Sequence, residues 1–195
     1  MTLQNRVTPF GTLVAEPARG TLMGNRGGRI HDPSTRALGR RRHASRRWIC
    51  CVLDFKGRQR AVWGRSYTEL FFLDEVTALA AGHRPCVECR RTAARAFLAA
   101  AGADRVDPLD RTLHAERLGP RSENALAALP DGAMVAHGEA AFALRRGRLL
   151  PWSPVGYGPP RRADPARRMT VLTPTLMLAA LAAGYAPLWH PTTPG

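Results

Sequence analysis

The chain has 195 residues and a formal net charge of +14, carried by 28 arginines and a single lysine, Lys56, against 15 acidic residues. An apolar fraction of 45% is ordinary for a globular protein, and no run of about 18 apolar residues offers a membrane-spanning helix. So basic a chain attracts polyanions, which makes nucleic acid the expected partner; for want of an apolar span, no membrane partner is expected.

In chain order, Met1–Phe10 lacks the basic-then-apolar pattern of a secretory signal. Four cysteines, two of them adjacent (Cys50, Cys51), make a poor disulfide framework. Both points lead to a cytoplasmic expectation, with thiols bound to metal or buried. Gly11–Glu16 reads as a short strand and Gly20–Gly28 as a Gly-rich turn whose Met23-Gly-Asn-Arg-Gly-Gly28 amides suit phosphate. Residues 29–47 carry seven arginines against one acid, Asp32, with no apolar period, and read as a loop or basic arm. Within that arm, Arg40, Arg41, Arg42, Arg46 and Arg47 lead into Trp48: guanidinium for phosphate, indole for a base.

Trp48–Phe55 is rich in β-formers, and Lys56-Gly57 is a turn into Arg60–Trp63, a hairpin pattern. Tyr67–Leu73 is a further strand. Asp74 caps a helix over Glu75–Ala81, stopped by Gly82. A second helix is expected from Cys86 to Ala101, a third from Asp107-Pro108 to Leu118, and a fourth over Ser122–Leu129. Strands follow at Ala133–His137, Ala140–Arg145 and Arg148–Trp152, then a loop over Val155–Arg168 and a final helix from Thr173-Pro174 to Gly184. Leu-Ala-Ala-Gly-His-x-Pro85 and Leu-Ala-Ala-Gly-Tyr-x-Pro187 are two uses of one Gly-x-x-Pro helix stop. The fold class is therefore α+β, a small zinc-stabilised hairpin and helix core with a mixed C-terminal β/α part. The expected regions are 1–47 (strand and basic arm), 48–129 (zinc core) and 130–195 (strands and helix, packed on the core or a second lobe).

Cys86 and Cys89 carry the chemistry. Two thiols three residues apart, just after a helix stop, can face one ion, and Zn²⁺ takes thiolate and imidazole ligands tetrahedrally. Adjacent strand residues face opposite ways, so only one of Cys50 and Cys51 can join them. Cys51 lies on the more apolar face with Ile49, Leu53 and Phe55, and is the expected ligand or a small buried hydrophobe. His114, on the following helix, is the candidate to complete the sphere, with His83 as another histidine nearby in sequence.

Glu69–Leu73, Asp74–Ala81 and Ala80-Ala-Gly-His-Arg-Pro-Cys-Val-Glu-Cys-Arg-Arg91 resemble the second half of the metal-binding domain of Ada-type DNA alkylation-repair proteins. The resemblance covers about 25 residues and implies that Cys86 and Cys89 are zinc ligands and that Arg84, Arg90 and Arg91 face a phosphate backbone. That family's other half is a Cys-x-x-x-Cys pair; its nearest counterpart here is Cys50-Cys51, so only the zinc site and the leaning toward DNA carry over. The chain as a whole resembles a bacterial protein family that contributes no activity to the reading. A reading from another class is a zinc-dependent deaminase-like hydrolase, with Cys86, Cys89 and His114 as ligands and Glu116 as proton shuttle, in the reverse of the usual order. A third is a protein-interaction module with a structural zinc.

Overall fold

The computed structural model describes residues 2–58 and 61–194. Its first half contains β1 (Arg6–Val7), β2 (Leu13–Val14), β3 (Leu22–Arg26), β4 (Trp48–Cys51) and β5 (Leu70–Phe72). Helix α1 (Glu75–Ala80), β6 (Arg84–Pro85), α2 (Arg91–Ala100) and α3 (Val106–Leu118) follow. The second half contains β7 (Glu123–Ala125), β8 (Met134–His137), β9 (Ala140–Arg145), β10 (Arg148–Ser153), β11 (Gly156–Tyr157), β12 (Arg161–Arg162), β13 (Arg168–Val171) and α4 (Thr175–Ala182). The α+β class is thus met. One sheet has the order β2-β1-β5-β3-β4-β6 and the other β11-β10-β9-β8-β13-β7, with β12 on β10. The first sheet runs across the boundary expected at 47/48, since β1 to β3 pair with β4 and β5.

Helix α1 holds the two sheets together. Asp74 caps it by accepting from the Thr77 backbone N–H at 2.8 Å, and all six helical residues are buried. The helix is covered all round, and its two polar side chains, Glu75 and Thr77, are hydrogen-bonded. Val76 and Ala80 pack with Met134, Ala143 and Leu150 of the second sheet. Ala78 and Ala81 pack with Leu22, Leu70 and Phe72 of the first. Leu79 meets Phe97, Leu113 and Met177 of the other helices. The repeated stop is the same at both sites: His83 N–H donates to the Ala78 carbonyl at 2.8 Å and Tyr185 N–H to that of Ala180 at 3.0 Å. Gly82 and Gly184 supply the left-handed φ of +77° and +94° that the turn needs.

Four local expectations are corrected. The Gly20–Gly28 segment is no turn: it holds β3, between β4 and β5. Gly24 is there for close approach, since a Cβ would run into the Ile49 carbonyl and stand 2.9 Å from the Phe72 ring. The hairpin of Trp48–Phe55 with Arg60–Trp63 does not form. Arg60 lies outside the described residues, 61–63 are not a strand, and β4 pairs with β3 and β6 instead. The helix expected at Ser122–Leu129 is β7 followed by one 3-10 turn, because ladder bonds to β13 outweigh so short a helix. Finally, the short β11 and β12 lie within Val155–Arg168, read as loop, and β13 starts at its end; in β13, Met169 and Val171 are buried while Arg168 and Thr170 are not.

Candidate metal centre and the arginine cluster

β4 ends on Cys51, and β6 lies parallel beside it with Cys50 opposite Pro85. The ladder continues one residue further, Cys86 N–H donating to the Cys50 carbonyl at 2.9 Å, which sets Cys86 next to Cys51. A turn follows: Arg90 N–H donates to the Cys86 carbonyl at 3.0 Å, and Cys89 comes back over the strand ends. The sulfurs of Cys51, Cys86 and Cys89 lie within 4.8 Å of one another, so the group can hold a metal ion. Sulfurs bound tetrahedrally to zinc at about 2.3 Å stand roughly 3.8 Å apart, within reach of this arrangement. The helix begins at Arg91 rather than Cys86, so the pair sits in the turn between β6 and α2.

Strand alternation sends Cys50 the other way. It is fully buried in the core with Leu70 and Phe72, and burial pushes its thiol up. The face expected to turn inward, that of Ile49 and Cys51, is the partly exposed one, because α1 covers the opposite side of the sheet. Within the cluster, hydrogen bonds from Cys51 and Cys89 hold the Cys86 thiol down to about 2, while donation to those neighbours pushes Cys51 up. Three soft donors suit zinc rather than magnesium or calcium.

Two arginines beside the cysteines have other work. Arg84 is 3% exposed and forks onto Asp110 of α3, both bonds 2.8 Å. Arg90, 7% exposed, donates to Glu75 Oε2 at 2.7 Å and approaches the Cys50 sulfur at 3.6 Å. Glu75 also accepts from the Tyr185 hydroxyl and the Leu188 N–H, at 2.6 and 2.9 Å. These side chains position the metal turn and present nothing to a phosphate backbone, a correction to the expectation for Arg84 and Arg90. Arg91 is exposed, as are Arg40, Arg41, Arg42, Arg46 and Arg47 of the arm, with Arg47 paired to Asp107 at 3.1 Å.

His114 is not at the sulfurs. Among the described residues no histidine or carboxylate joins the three cysteines. The His114 ring meets His43 edge-on at 4.8 Å and faces Trp48 at 6.4 Å. Glu116 accepts from the Leu176 N–H at 3.0 Å, capping α4. The parts of the deaminase constellation therefore lie on separate sites. The reason is the length of α2 and its turn, which carry α3 past β6 so that Asp110 rather than His114 faces it.

The chain matches no family model, no curated protein and no solved structure.

The three cysteines line one end of a cleft of about 850 Å³ on the open face of the first sheet. Met23, Ile49 and Phe71 contribute its apolar lining, and Glu69 lies in it with Oε1 buried and unpartnered. None of these residues stood out in the sequence, although their alternation along three strands was readable. On the opposite side of the sheet Trp48 is buried, not presented to a base. Its ring lies 4.0 Å from the Arg26 guanidinium carbon and 4.4 Å from that of Arg117. Sequence reasoning reached Arg26 only as part of a Gly-rich segment and missed Arg117, which reads as an ordinary helix residue.

Proposed function

We propose that this is a zinc-binding protein that contacts nucleic acid, DNA in preference to RNA, through its exposed arginine arm, with a role in DNA repair or processing. The convergence of Cys51, Cys86 and Cys89 carries the metal half of the reading. Zinc takes four donors, and among the described residues only three protein donors converge, so the fourth comes from the cleft that the sulfurs line. The net charge of +14 and the five exposed arginines between 40 and 47 support the nucleic-acid half.

Elemental analysis of protein purified without added metal tests the first half: about one zinc per chain is expected, lost in Cys86→Ser. Protein that is fully folded yet free of metal refutes it. For the second half, DNA affinity is measured against salt. Engagement of all five arm arginines gives a log–log slope of about −4 to −5, and a salt-independent affinity refutes it.

A further inference from the structure

Arg26 is a charge in the core of a sheet. It is 3% exposed, and its guanidinium has only neutral partners: His83 Nε2 at 3.3 Å, the Arg42 carbonyl at 3.4 Å and the Gly11 carbonyl at 2.7 Å. Arg117 lies against the same Trp48 ring and gives one N–H to the Arg46 carbonyl at 3.1 Å. Its Nε and Nη2, the edge that forks onto an oxyanion, are buried without partners. Neither arginine forms an ion pair among the described residues. The nearest acids make no hydrogen bond to either, Asp110 pairing with Arg84 and Glu116 accepting from the Leu176 N–H, although both attract Arg117. Burial lowers both guanidinium pKa values, to about 9 for Arg26, where Arg117 and Arg42 add repulsion, and to about 10 for Arg117, where Arg84 repels and Asp110 and Glu116 attract.

A buried guanidinium with only neutral partners, beside a second whose forking edge is buried and unpartnered, is costly. An anion on that edge lowers the cost. Space for one adjoins: a pocket of about 320 Å³ is bordered by Arg117, Trp48, Arg121, Thr173, Thr175 and Glu116, whose carboxylate caps the start of α4. The geometry points to a phosphate site: the Arg26–Trp48–Arg117 stack takes the dianionic end of a phosphate monoester on the free edge of Arg117. A terminal phosphate suits it better than an internal phosphodiester, because Arg26, Arg117 and Arg121 outweigh Glu116 by two positive charges, matched by two negative ones. The site is separate from the sulfurs, being on the other side of β4. It bears on the nucleic-acid reading only as to where the phosphate comes from.

The test is titration of the full chain with inorganic phosphate, followed by ³¹P line broadening and by thermal unfolding. Saturable broadening and a raised Tm are expected in the native chain and in Cys51→Ser, where the metal centre is impaired. Arg117→Gln and Arg117→Lys should each weaken binding about tenfold or more, the lysine variant keeping the charge and losing the fork. Displacement by a 5′-phosphorylated oligonucleotide but not by its 5′-hydroxyl twin identifies a nucleic-acid end as the source. Displacement by mononucleotides alone identifies a small molecule and leaves the site standing while the nucleic-acid reading falls. No saturable effect in the native chain, equal binding in folded Arg117→Lys, or loss of binding in Cys51→Ser overturns the proposal.

Discussion

Replacing Arg84 by Met separates a buried structural charge from one that meets a phosphate. The side chains of Arg84 and Asp110 are 4% and 2% exposed. They share two parallel bonds of 2.8 Å, and a third N–H reaches the Pro85 carbonyl at 3.1 Å. Removing the guanidinium leaves a carboxylate in the core without its counter-charge, which costs about 3–5 kcal/mol. In a chain of this size each kcal/mol moves the midpoint by about 2–4 °C, so Arg84→Met should melt roughly 6–20 °C lower. The double variant Arg84→Met/Asp110→Leu should recover most of the loss, because an apolar pair of similar volume costs little or nothing relative to the ion pair. Denaturant unfolding of the four proteins of this cycle gives the coupling directly. An Arg84→Met protein of native stability that has lost affinity for DNA refutes the reasoning and returns Arg84 to the surface.

The two neighbouring cysteines should part in behaviour: Cys51→Ser lowers zinc content by elemental analysis, whereas Cys50→Ser keeps it and loses about 1–3 kcal/mol for a hydroxyl placed among Leu70 and Phe72. His83, fully buried beside Arg26, is held well below the usual imidazole range by burial, then by Arg26 and Arg117. A depressed folded pKa contributes stability above the unfolded value near 6.5 that is lost on acidification, by about 1.4 kcal/mol per pH unit. Urea midpoints should therefore fall between about pH 6.5 and pH 5, and His83→Gln should flatten that slope; an unchanged slope in the variant refutes the assignment. Gly24→Ala should be among the most damaging small substitutions, because the obstruction is the Ile49 backbone, and a midpoint within 2 °C of native would count against the observed β3–β4 register.

Elements with a local signature were legible. Asp74 and Gly82 bracket α1 with a cap and a left-handed stop that neighbouring residues fully determine. The Cys86–Cys89 spacing announced a metal turn, and strand parity left room for only one of Cys50 and Cys51. What stayed hidden was set by distant partners. β4 chose β3 and β6 over the adjacent segment, and with that choice the apolar face that looked inward became the cleft side. His114 and Asp110 are four residues apart on one helix, and nothing local says which of them faces β6. The arginines were read by composition as surface, yet Arg26, Arg84 and Arg90 are buried by pairings that link residues 15 to 57 positions apart.

Glu75 ties the sulfur-bearing turn to the far end of the chain. Two of its three hydrogen-bond donors, the Tyr185 hydroxyl and the Leu188 amide, come from the tail, and the third is the residue that follows Cys89. A polypeptide clipped after Gly184 would leave that carboxylate half satisfied and Arg90 free to pivot. If the proposed zinc is held at the sulfurs, its capture depends in part on a strap wrapped around another edge of the molecule, and proteolysis at the carboxyl terminus should then register as metal loss long before the sheets come apart.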